Sequence, residues 1–135
     1  MQSESSDQTS GSKVELRLPS SPQAAGMART AIYPLRRAAP EVVEDVLLLV
    51  TELVTNSYRH AGMAQSGWIG LQVIARRDLV RVEVRDEGPG FRVTRRTVGA
   101  DVGGGWGLHL IDYLTDRWGV AHNGQTCVWF EIDRR

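Results

Sequence analysis

The alternation of apolar and polar positions divides the chain into short strands and amphipathic helices. Val14, Leu16 and Leu18 alternate with Glu15 and Arg17, which predicts a half-buried strand ended by Pro19. Ser21-Pro22 predicts a helix start, serine as N-cap and proline at the first helical position, with the helix running to about Arg37 and kinked or interrupted at Pro34. Pro40 and Glu41 open a second helix with an apolar stripe at Val43, Val46, Leu47, Val50, Leu53 and Val54, and Gly62 is its C-terminal stop. Strands follow at about 68–76 and 79–86, joined tightly at Arg77-Asp78. In the second of these, Val80, Val82 and Val84 face one way and Arg81, Glu83 and Arg85 the other, as in an antiparallel strand with one covered face. Residues 91–104 are glycine-rich with few core candidates. A third helix at about 106–115 sets Leu108, Ile111 and Leu114 at helical spacing. Strands near 118–122 and 126–133 close the chain across Asn123-Gly124, a strong hairpin signal.

The predicted order is β-α-α-β-β-loop-α-β-β. Hairpin-linked strands and few helices imply a two-layer α/β sandwich, its sheet mixed but mainly antiparallel, with three helices on one face. A Rossmann arrangement is excluded, because the glycine run follows a long loop and not the first strand. Residues 1–12 are polar after Met1 and read as a disordered tail, leaving 13–135 as one domain.

Composition narrows the possibilities. Lys+Arg and Asp+Glu are both 16, so no net charge draws the chain to nucleic acid or an anionic membrane. The only lysine is Lys13, so no P-loop GxxxxGK[ST] exists. A single cysteine, Cys127, allows no internal disulfide, and the longest apolar run, 46–50, is far short of the roughly 20 residues of a membrane span. These features lead us to expect a soluble, cytoplasmic protein.

Three separated signals carry the candidate chemistry. Glu52 and Asn56 lie four apart on one helical face, about 6 Å along the axis, and Arg59 and His60 continue that face. Since Val50 and Val54 point nearly opposite, that face alone reads as solvated surface. Its functional reading is a carboxylate base, a metal-ligating amide and two groups that reach phosphate. Asp86 ends a strand before Gly88 and Gly90, where the backbone can turn sharply beside a flat ligand; such a turn also occurs for purely structural reasons. Gly103, Gly104, Gly105 and Gly107 open a helix that continues with Leu108, so bare N–H groups and a helix dipole can face one anion. Thr126, at the start of the last strand, is either an ordinary strand residue or a support for the Asp86 end of a pocket.

Together ELVTN (52–56), DEGPG (86–90) and GGGWGLHLI (103–111) resemble the N, G1 and G2 boxes of the Bergerat-fold ATPases, which include DNA gyrase and the histidine kinases. The likeness spans roughly 14–133. Within that superfamily the chain is similar to the small stand-alone bacterial anti-sigma factor serine/threonine kinases, through its length, the Asn-x-x-x-His-Ala sequence from Asn56, and the ending DRWGV…VWFEI. The resemblance implies the histidine kinase-like ATPase fold and the cofactors ATP and Mg²⁺. It implies Glu52 as general base, Asn56 as magnesium ligand, Asp86 as adenine partner aided by Thr126, Gly88 and Gly90 as the G1 turn, and Gly103, Gly105 and Gly107 as phosphate cradle. Trp106 departs from it, standing where many relatives carry an arginine or a small residue, and the lid at 91–102 is short.

The resemblance leads to an expected ATP-dependent kinase that sequesters a sigma factor and phosphorylates an anti-anti-sigma (STAS-type) antagonist, with no direct nucleic-acid or membrane contact and a possible homodimer. The alternatives are a regulatory module that uses ATP only to shape an interface, and a simple ATPase.

Overall fold

The computed structural model describes residues 12–60, 67–86, 106–122 and 125–135. Its elements in chain order are β1 (Ser12–Pro19), α1 (Ala24–Ile32), α2 (Leu35–Ala38), α3 (Val43–His60), β2 (Trp68–Ala75), β3 (Leu79–Asp86), α4 (Trp106–Leu114), β4 (Arg117–His122) and β5 (Thr126–Asp133). The strands form one sheet in the order β1-β2-β3-β5-β4, and each neighbouring pair is antiparallel. This corrects the expectation of a mixed sheet. The crossover through α4 brings β4 back in the direction of β3, but β5 folds back on β4 and takes the place between them.

Local chemistry accounts for most boundaries. Ser21 accepts hydrogen bonds from Gln23 N–H at its Oγ (3.3 Å) and from Ala24 N–H at its carbonyl (3.0 Å), so Pro22 and Gln23 form a turn and α1 starts at Ala24 with Gln23 as its N-cap, which corrects the expected serine cap and proline start. The single helix expected to run to Arg37 is two: α1 ends at Ile32, Tyr33-Pro34 form a turn, and α2 begins at Leu35. Pro34 has no N–H to continue the ladder, which is the physical reason for the break. The second expected helix starts at Val43, its lead-in 40–42 being a turn, and its expected stop at Gly62 lies outside the described residues, as does Asn123-Gly124. The β2–β3 connection is tight, with Arg76 N–H donating to Leu79 O at 2.8 Å.

The covered face of the sheet is read directly from the register. Leu71 pairs with Val84, Val73 with Val82, Val82 with Phe130 and Val80 with Ile132, all buried. Onto them pack Ala24, Ala28 and Ile32 of α1, Val46, Leu49, Val50, Leu53 and Val54 of α3, and Ile111 of α4, forming one core. None of the described helices is long and apolar enough to cross a membrane.

Candidate functional site

Along β3 the covered positions run Val80, Val82, Val84, and the next is Asp86. A carboxylate at the end of a valine row is in an apolar environment, and it is only 4% exposed. Register sets it opposite Thr126 at the first position of β5, which is 3% exposed, and opposite Ile69 of β2 on the other side. The pairing of Asp86 with Thr126 joins two of the residues that the sequence singled out, from positions forty apart in the chain.

The third comes from α3, which packs on β2 and β3. Here the structure corrects the solvated-face reading: Asn56 is 8% exposed. The reason lies in the spacing of the buried residues. Val42, Val46, Leu49, Leu53 and Asn56 are separated by four, three, four and three, one continuous row down the helix, with Val43, Val50 and Val54 flanking it. The stripe drawn from sequence used Leu47, which is half-buried, and omitted Leu49, which is fully buried. With Leu49 in place, Asn56 falls seven residues on, two turns along the same row. That spacing was the signal available in the sequence. Glu52, one turn before Asn56 and beside the row, is half-buried and keeps access to solvent.

Among the described residues, the buried polar side chains are Asn56, Asp86 and Thr126. Burying polar groups is unfavourable unless hydrogen bonds compensate, so their concentration in predicted site positions is informative. The Nδ2 of Asn56 is buried and has no hydrogen-bond partner among the described residues. A carboxamide in that state can donate to an anionic oxygen, or present its carbonyl oxygen to a cation on rotation. The donor set thus fits a magnesium nucleotide: an amide for a hard cation or phosphate, and a carboxylate beside a threonine hydroxyl for an amine donor.

Other predicted positions are reached in part. Arg59 and His60 close α3, and Gly107 and Leu108 lie in the first turn of α4, with the side chains of Arg59, His60 and Leu108 outside the described residues. Gly88, Gly90, Gly103, Gly104 and Gly105 lie outside them altogether, as does the expected lid. Cys127 sits on the opposite face from Val128 and Phe130, as expected, and burial pushes its thiol up.

Comparison with known proteins identifies the family of this fold. Residues 17–132 match the family described as the histidine kinase-like ATPase domain. The chain is 31% identical over 119 residues to serine-protein kinase RsbW of Listeria monocytogenes, a stretch that covers 77% of this chain and 76% of that protein. The same figures hold for its namesake in Listeria innocua. The fold is similar to the crystal structure of the RsbU and RsbW domains of a Mycobacterium tuberculosis protein, with a TM-score of 0.66 over 91% of this chain and 32% of that one, at 20% identity. With the family match spanning nearly all the described sheet and helices, the chain belongs to the histidine kinase-like ATPase domain family.

Proposed function

We propose that this protein is an ATP-dependent protein serine/threonine kinase acting as an anti-sigma factor in a partner-switching system, with a STAS-type anti-anti-sigma protein as its phosphate acceptor. The observation that carries the reading is the set of buried polar side chains, Asn56, Asp86 and Thr126, which coincides with three positions assigned to nucleotide and metal. The likeness to the Listeria serine-protein kinases supplies the acceptor class. In this reading residues 13–135 are the kinase domain, and the protein works in the cytoplasm.

Asp86 accepts a hydrogen bond from the exocyclic amine of adenine, and its seat among Val84, Ile69 and Thr126 excludes water that would compete for it. Asn56 would hold Mg²⁺, and that ion, when bound, offsets charge on the phosphate oxygens. Arg59, His60, Gly103, Gly104, Gly105, Gly107 and Leu108 are the residues that would hold the phosphates, and Gly88 and Gly90 those that would serve the base as the G1 turn. Glu52 accepts the proton of the acceptor serine as its oxygen bonds to the γ-phosphorus; the bond from that phosphorus to the bridging oxygen breaks, and ADP leaves with the electron pair. A base that remains accessible to solvent, as Glu52 is, can meet a hydroxyl delivered by another protein.

The test is incubation with ATP labelled at the γ-phosphate, magnesium and a STAS-domain protein that carries a serine. Label on that serine is the expected result. Nucleotide binding without transfer would leave the regulatory-module alternative in its place, and no binding at millimolar ATP would overturn both.

A further inference from the structure

Arg134 follows β5, belongs to none of the sequence boxes, and makes four hydrogen bonds that tie the two layers together at one corner. Its Nε donates to Glu41 Oε2 (2.5 Å), Nη1 to Arg76 O (2.7 Å) and Nη2 to Ala38 O (2.9 Å). Its backbone N–H donates to Asp78 O (2.8 Å). The acceptors fall in two groups: Arg76 and Asp78 in the β2–β3 turn at the end of the sheet, Ala38 and Glu41 at the end of α2 and the lead-in to α3. The head is well sheltered, the side chain being 19% exposed. Ala38 is the last residue of α2, so its carbonyl has no donor within the helix, and Arg134 fills a need that the chain itself creates. The guanidinium also holds the Glu41 carboxyl below its usual range.

The contact between α3 itself and the sheet is apolar, valines and leucines of the helix on valines, isoleucines, leucines and Phe130 of the strands. Such contacts are non-directional: they set the distance between layers but resist axial sliding weakly, and shifts of about 1–2 Å between packed elements are among the low-cost motions of proteins. A planar fork with fixed donor directions is different: it holds the segment that leads into α3, and sliding α3 along the sheet pulls on that segment and strains its bonds. We propose that Arg134 is a positioning residue for the nucleotide site, fixing the axial placement of α3 on the sheet. The inference rests on the reading above, in which Asn56 on α3 serves the metal and Asp86 and Thr126 on the sheet serve the base. These two halves of the site sit on different layers, and their relative position is set by how α3 is seated.

The test measures binding of ADP without magnesium and of ATP with and without magnesium, by calorimetry, in wild type, Arg134→Ala, Arg134→Lys and Glu41→Gln. Magnesium-free ADP is held chiefly through its base by Asp86 and Thr126 on the sheet, so its binding should change much less than the magnesium-dependent gain in all of them. The gain in ATP affinity on adding magnesium should fall roughly tenfold in Arg134→Ala, the lower end for loss of a ligand-orienting partner. Arg134→Lys keeps the charge but loses the planar fork that meets three acceptors in fixed directions, and should lie between. Glu41→Gln retains an acceptor and both carbonyl bonds and should keep most of the gain. A lower melting temperature with an undiminished magnesium gain in Arg134→Ala would overturn the proposal and leave Arg134 a stability residue. If Arg134→Ala does not fold, an undiminished gain in Arg134→Lys does the same. A wild type with no magnesium-dependent gain would instead refute the role of Asn56, an outcome distinct from the first.

Discussion

The two faces of strands β3 and β5 treat charge in opposite ways. On the open face, Arg81 bonds Glu83 Oε2 (3.0 Å) and Glu131 Oε2 (2.9 Å) while its guanidinium lies 4.6 Å from the Trp129 ring centroid. Arg85 meets Glu83 at 3.3 Å, and Arg117 meets Glu131 at 2.7 Å and also binds Asp133. Trp129 can lie across the neighbouring strand because residue 119 is glycine; a Cβ there would come within 2.9 Å of the indole nitrogen. Charges on that face are answered by neighbours in the same ladder. On the covered face a single carboxylate, Asp86, ends a row of valines. An exposed pair contributes about 1 kcal/mol or less, whereas taking a carboxylate out of water costs several kcal/mol before compensation. Location, more than charge itself, separates the residues that hold this sheet together from the one proposed to meet a ligand.

Replacing Asp86 should break the comparison most completely. Asp86→Asn should weaken adenine-nucleotide binding about 100-fold, the scale of a buried charged hydrogen bond. Asp86→Val continues the valine row, so it should abolish binding while leaving the melting temperature unchanged or raised. Calorimetry with ADP and thermal unfolding measure the two effects. Retention of binding in Asp86→Val would show that the covered-face carboxylate is structural after all.

Glu52 sharpens the same distinction on the helix. Because it lies outside the buried row and half-exposed, Glu52→Ala should leave stability and nucleotide affinity close to wild type. Phosphotransfer to the acceptor should fall by about 10² or more, the usual range for loss of a general base. Single-turnover assays at saturating ATP give the rate directly, and equal rates would remove Glu52 from the mechanism.

How far these contrasts could be read from sequence follows from which interactions are local. The period-two alternation in 79–86 gave β3, its covered face and the place of Asp86, because strand parity is a property of adjacent residues. Pro34 marked the helix break because its missing N–H acts within one turn. Burial of Asn56 was not read, since the run Leu47-Leu48-Leu49 offers three leucines to a helix that buries only the last fully, and contact with α1 and α4 widens the covered side. The insertion of β5 between β3 and β4 has no local signature either. Nor does the Arg134 corner, where the partners Glu41 and Arg134 are 93 residues apart. The proposed phosphate side rests on glycines whose motif is legible in the sequence and which, Gly107 apart, lie outside the described residues.

The smallest effects should come from the open face, and they should be of stability alone. Arg81→Ala removes two ion pairs and the stack on Trp129, with an expected loss of about 1 kcal/mol in urea unfolding and no change in ADP affinity. The ladder also predicts a direction with pH. Hydrogen bonds from Arg117 foremost, aided for Glu131 by Arg81, hold the carboxyls of Glu131 and Asp133 below their usual range. A carboxyl whose folded pKa is depressed contributes stability that is fully present above its unfolded value, near pH 4, and is lost as pH falls through the folded value. Wild type and Arg117→Ala should therefore differ slightly in urea midpoint at pH 7 and converge below about pH 3. Added salt should shrink the difference at pH 7, because Arg117 is exposed and its partners are only partly buried. A gap that survives both acid and salt would mean that the arginine stem, packed along the strand, stabilises the sheet by contact, and that the open face is held by more than its charges.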